Sequence, residues 1–157
     1  MATDKIPFGS TTLVSGARFR PHGRVDMMME NDVLQYEATG PFNAEVFDAL
    51  AVAQADFLKS LTLAPRWASI CTLRISAMAS PEGIARYTEL MQRAKPTAFE
   101  PVATAFVVAS QVEGCKIMAP HFAKIYTLIG RPFRIFETME PAQLWVRSMI
   151  SQQPTPL

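Results

Sequence analysis

Apolar and polar positions along this chain alternate between a strand-like and a helical period, and the switches between the two mark its elements. Two strand-length segments, Arg24–Glu30 and Val33–Thr39, flank Asn31-Asp32, a pair that tolerates the positive φ values of a tight turn, which predicts a β-hairpin. Gly40-Pro41-Phe42 breaks the second strand, and Asn43 stands where a cap is wanted for a helix running to about residue 61. Phe47, Leu50, Ala51, Phe57, Leu58 and Leu61 recur in that helix at the spacing of one face. After Pro65, residues 67–75 read as a strand of the sheet interior.

Ser80-Pro81-Glu82 is a helix start, with a capping hydroxyl, a proline at the first position and a carboxylate at the positive end of the dipole. Ile84, Tyr87, Met91 and Ala94 line one face of the helix that follows. Residues 101–109 form a continuous apolar run of strand length, the pattern of a parallel strand covered on both faces. Residues 114–129 predict a further helix with Met118, Phe122, Ile125 and Ile129 as its stripe, and Gly130 is its C-cap. Phe133, Ile135 and Phe136 then predict a short buried strand, and Glu140-Pro141 a last helix with Pro141 at its first position.

Strands and helices in this order specify a single α/β domain, with a mixed, mostly parallel sheet, an N-terminal antiparallel hairpin and flanking helices. Residues 1–20 read as a tail or a lead-in strand, 21–152 as the domain, and 153–157 as a C-terminal tail.

The terminal pattern Gly130, Pro132, Phe133, Arg134, Phe136, Glu140, Ala142 and Trp145, after this hairpin and element order, resembles the STAS-like (anti-sigma-factor-antagonist) domains over roughly residues 20–150. The resemblance implies a non-catalytic regulatory or protein-interaction module. In regulatory members of that family a strand ending in Asp precedes a D-S-S/T-G turn whose serine is phosphorylated. The corresponding stretch here, residues 73–83, contains no Asp, and its serines are Ser76 and Ser80. Either is a candidate phosphorylation or anion-contact residue, because a helix N-terminus favours added negative charge. A helix cap alone also accounts for Ser80-Pro81-Glu82.

Composition narrows the class. The 157 residues are 49% hydrophobic and 18% charged, ordinary for one domain with a full core. A net charge of +1 gives no reason to expect nucleic acid as a partner. The N-terminus carries no apolar segment of signal-peptide length, and no apolar run approaches the about 18 residues of a membrane span, so the expectation is a cytoplasmic protein without an integral membrane segment. Two cysteines far apart, Cys71 and Cys115, suit a reducing compartment.

Few residues offer chemistry. Cys71 belongs to a buried strand, where a thiol acts as a small apolar group with a raised pKa. Cys115 lies at a helix start, the one candidate reactive thiol, with His121 six residues on rather than on the adjacent turn. His22 and His121 lack metal-ligand spacing, and no glycine loop of a nucleotide site occurs, so no metal or cofactor is expected. Glu82 and Glu89 share a helical face, where carboxylates usually only solvate. Arg18, Phe19, Arg20, His22 and Arg24 form a positive cluster, read as an anion contact or a solvated lead-in. In Met27-Met28-Met29, strand alternation buries either Met28 or the other two.

Three function classes remain: a regulatory or interaction module with a protein partner; a domain binding a small apolar molecule or lipid in a pocket between helices and sheet, suggested by 9 Met and 10 Phe; and an enzyme built on Cys115 or on Glu82 and Glu89. An unpaired hairpin edge also suggests a homodimer.

Overall fold

A computed structural model describes residues 6–14 and 21–152. Arg18, Phe19 and Arg20 of the positive cluster, and the tail 153–157, lie outside the described residues. A six-stranded sheet runs in chain order from β1 (Phe8–Ser10) through β2 (Arg24–Glu30), β3 (Val33–Thr39), β4 (Ala68–Arg74) and β5 (Thr104–Val108) to β6 (Phe133–Phe136). Neighbours up to β3 are antiparallel, and those from β3 onward parallel. Helices α1 (Ala44–Lys59), α2 (Pro81–Gln92), α3 (Cys115–Ile129) and α4 (Met139–Ser151) complete the mixed α/β domain.

Local chemistry sets most of these boundaries. Asn31 and Asp32 both take positive φ, 50° and 63°, which closes β2 on β3 with Glu30 opposite Val33. Asn43 caps α1 by accepting the Val46 N–H at 3.1 Å, and Ser80 caps α2 by accepting that of Gly83 at 3.0 Å. Gly130, at φ 71°, ends α3.

Successive right-handed crossovers place α1, α2 and α3 on one face of the sheet. Strand alternation then sorts the core. Leu34, Tyr36 and Ala38 of β3 and Leu73 of β4 turn toward those helices, whereas Val33, Ile70, Ala105 and Val107 meet Ala142 and Val146 of α4 on the opposite face. Arg66 ties α4 down by donating to the carbonyls of Met149 (2.8 Å) and Ile150 (2.9 Å) near its C-terminal end.

Three expectations are corrected, and the choice between a tail and a lead-in strand at the N-terminus resolves to a strand. The lead-in contains a strand, β1, which pairs with Asp26–Met28 and so makes a three-residue segment the edge of the sheet beside the hairpin. Short edges of this kind discourage pairing with another chain. α2 stops at Gln92, leaving Ala94 outside it, because Pro96 has no N–H to give Gln92 and disfavours helical geometry at Lys95. β6 is an edge strand rather than a buried one: Ile135 is 38% exposed, with only Phe133 and Phe136 half-buried. Thr138 is the N-cap of α4, so Pro141 is its third residue, still within the turn whose N–H groups have no helical partner.

Candidate functional site

The site is built on the helix-covered face of the central strands. Register places Tyr36 of β3, Cys71 of β4 and Phe106 of β5 side by side, so the three form one row across the sheet. Ser69 and Thr104 form the next row toward the strand starts and hydrogen-bond to each other at 2.8 Å. Over this floor α1 brings Phe47 and Leu50, α2 brings Tyr87 and Met91, and α3 brings Phe122 and Tyr126. They enclose a cavity of about 80 Å³. It shares Leu50, Met91, Lys95 and Phe99 with an apolar groove of about 340 Å³ between α1 and the end of α2. Native interiors hold few voids larger than a water molecule, so an apolar cavity with a continuing groove stands out from ordinary core packing.

All three tyrosines of the chain, Tyr36, Tyr87 and Tyr126, line this cavity. The hydroxyls of Tyr87 and Tyr126 hydrogen-bond to each other, and that of Tyr36 has no hydrogen-bond partner among the described residues. Aromatic contacts hold the floor: Phe106 meets Phe122, Tyr126 and Phe133 edge-on at 5.2, 5.8 and 4.9 Å between ring centres. Two cations stand at the strand-start end. Arg131 follows the helix-ending Gly130, its guanidinium lying 5.8 Å from the centre of the Tyr126 ring and donating over a long 3.4 Å to the Thr104 hydroxyl. Lys95 follows the end of α2, and no Asp or Glu lines the cavity or its groove among the described residues.

Burial decides the charge state here. It pushes the Cys71 thiol and the Tyr87 hydroxyl up to about 12, and raises Tyr36 and Tyr126 as well. Burial lowers Lys95, with the neighbouring Arg131 pushing the same way and Glu100 opposing. The thiol and the phenols are therefore neutral near pH 7, which leaves Arg131 and Lys95 as the cavity's charges. A raised pKa in the folded state means that these acids stabilise the fold below their unfolded values and lose that contribution as pH climbs toward the folded ones. Stability measured by urea unfolding is therefore expected to be flat around neutrality with respect to these groups and to fall steeply from about pH 9–10 upward, the unfolded thiol and phenols ionising first. Tyrosinate absorbance in the native protein is expected to rise only together with unfolding. A rise near the pH of free tyrosine in protein still folded would contradict the buried placement of the three rings.

Of the residues singled out in the sequence for chemistry, Cys71 lies in the cavity floor, whereas Ser76, Ser80, Cys115, His121 and Glu89 lie elsewhere and are not brought together. Ser76 is 2% exposed, donates to Glu113 Oε1 at 2.9 Å and accepts the Met78 N–H at 3.1 Å. Beside it the Ser76 N–H bonds back to Arg74 across Ile75, whose φ of 67° is an uncommon value for a β-branched residue. Ser80, half-buried, has its hydroxyl engaged as the α2 cap. Cys115 opens α3 with its thiol donating to the Ser110 carbonyl at 3.6 Å. Six helical residues leave His121 about 120° from it around the axis and about 9 Å along it.

Glu89 is engaged in ion pairs with Arg86 and Arg93, at 3.7 and 3.8 Å. Met27 is fully buried and Met28 is 38% exposed, as strand alternation requires. Among the described residues no group of three or more His, Cys, Asp or Glu converges as a metal site would, and no helix is long and apolar enough to cross a membrane.

Sequence reasoning placed Tyr87 on a buried face and Cys71 in a buried strand, and missed Tyr36, Tyr126, Lys95 and Arg131 as parts of one site. The available signal was the tyrosines themselves: each occupies a position where its stripe is otherwise apolar, and a buried phenol needs a partner for its hydroxyl. Comparison of the chain with protein-family models, with curated proteins and with solved structures gave no match in any of the three.

Proposed function

We propose that this chain is a non-catalytic ligand-binding module that holds a small, largely apolar molecule between its sheet and the α1–α3 layer. The observation that carries the reading is the cavity, with its three neutral phenols on an aromatic and aliphatic wall and its continuation into the α1–α2 groove. The free Tyr36 hydroxyl supports it, since a bound molecule or a water would satisfy that group. A cytoplasmic location belongs to the same proposal, supported by the two free thiols, Cys71 and Cys115.

A second reading, a STAS-like regulatory or interaction module, is favoured by the element order and by the Gly130 to Trp145 ending. The two readings join if ligand occupancy alters what the helical face presents to a protein partner.

The test is a titration with decanol, an uncharged unbranched apolar chain, monitored by isothermal titration calorimetry. Saturable binding to one site is expected, and Cys71→Phe, which fills the cavity from its floor, is expected to weaken it at least tenfold. No saturable binding, or unchanged binding by a folded Cys71→Phe variant, would overturn the reading.

A further inference from the structure

We infer that the occupant of the cavity is an organic monoanion, an elongated apolar body ending in a carboxylate that sits between Arg131 and Lys95. This rests on the ligand-binding reading above and names the chemistry of its ligand.

Four observations lead to it. The first is the company the two cations keep. Of the cations that make no carboxylate pair within 4.0 Å among the described residues, Lys59, Lys116, Lys124, Arg134 and Arg147 are exposed and Arg66 donates to two carbonyls, whereas Arg131 and Lys95 are half-buried and line the cavity. Arg131 has five N–H donors, and its side chain makes one long hydrogen bond, to Thr104. The second is their mutual repulsion: two like charges face one partly desolvated space, an arrangement that an anion placed between them relieves.

The third is the charge count. Two cations line the space and no Asp or Glu does among the described residues, while Glu100 acts on Lys95 from outside the lining, so a singly charged anionic head brings the group toward neutrality. A planar carboxylate also matches the guanidinium fork in a bidentate arrangement. The fourth is size. The enclosed space of about 80 Å³ is smaller than the roughly 150 Å³ apolar cavity that admits benzene. A compact ring therefore does not fit within it, and an extended chain that continues past Leu50, Met91 and Phe99 into the groove does.

The experiment measures by isothermal titration calorimetry at pH 7.5 the binding of decanoate, decanol and decyl phosphate to the wild-type protein and to Arg131→Gln, Lys95→Gln and Arg131→Lys. Decanoate is expected to bind at least tenfold tighter than decanol and tighter than decyl phosphate. Arg131→Gln and Lys95→Gln are each expected to weaken decanoate at least tenfold while leaving decanol within twofold, and Arg131→Lys is expected to keep the preference for the carboxylate.

Equal binding of decanoate and decanol by the wild type, or an equal loss of both in Arg131→Gln, would overturn the anion assignment while the ligand-binding reading stands. Tighter binding of decyl phosphate would overturn the carboxylate. Failure of decanol and decanoate alike to bind the wild type would overturn the ligand-binding reading and this inference with it.

Discussion

Phe106→Ala is expected to cost about 3–5 kcal/mol of folding stability, the range for truncating a buried aromatic ring. Phe106 is 4% exposed at the centre of β5, and its ring is the common neighbour of Phe122 and Tyr126 from α3 and Phe133 from β6. Truncation takes away the apolar burial and enlarges an existing cavity that the wall has already failed to fill, so little collapse is available to offset the loss. Its register partner Ile135 makes the control. That side chain is 38% exposed on the edge strand, and Ile135→Ala is expected to cost less than about 1 kcal/mol. Urea unfolding at pH 7 measures both. Comparable losses at the two positions would mean that the cavity floor is not the packing centre of the helical face. The larger hole left by Phe106→Ala is also expected to admit benzene, raising the melting temperature of the variant more than that of the wild type.

Gly40→Ala is expected to destabilise the fold by about 3 kcal/mol or more, from a collision between two stretches of main chain rather than from lost burial. A Cβ at Gly40 would lie 2.1 Å from the Ser76 carbonyl oxygen and 2.8 Å from the Phe42 ring. That oxygen belongs to the tight turn leaving β4, where Ser76 bonds to Arg74 through its N–H and to Glu113 through its hydroxyl. Moving it aside disturbs the exits of β3 and β4 together. Gly130 separates this cause from backbone conformation: it has a φ of 71° but nothing within 4 Å of a built Cβ. Gly130→Ala is therefore expected to cost only the about 1–2 kcal/mol of a left-handed alanine. If the two substitutions cost the same, close approach at Gly40 is not what selects glycine there.

These cases show which features are written locally in the chain. The Asn31-Asp32 turn, the Asn43 and Ser80 caps and the Gly130 terminus each depend on a few adjacent residues, and each was legible from residue type and spacing. β1 was legible only as an alternative to a tail, because a three-residue strand exists only through its pairing with Asp26–Met28, and nothing within Phe8-Gly9-Ser10 announces that partner. Ile135 misled for a related reason: an apolar residue in a strand pattern does not reveal that its strand is an edge. The α4 boundary shifted by two residues because a proline fits anywhere in a first turn that has no N–H to lose, so Pro141 marks the turn and not the position.

The cavity is the least local feature of all. Tyr36, Tyr87 and Tyr126 come from three elements far apart in the chain, and only the register of Tyr36 with Cys71 and Phe106 and the stacking of α2 and α3 above that row bring them together. Arg131 and Lys95 belong to no motif in the sequence. Their significance lies in what surrounds them, an apolar space free of carboxylates, which no spacing rule encodes. The serines favoured by the sequence are instead engaged at the exit of β4 and the start of α2, where Ser76 meets Glu113 and Ser80 meets the Gly83 N–H.

Native mass spectrometry of the protein purified from its own host, followed by organic extraction and denaturing mass spectrometry of the same sample, tests the central claim most directly. The account predicts a single bound small molecule, lost on denaturation and recovered in the extract as an elongated carboxylate, and predicts that Cys71→Phe prepared in the same way carries none. A wild-type protein that shows only the mass of its polypeptide in the native spectrum and binds neither decanol nor decanoate would contradict it.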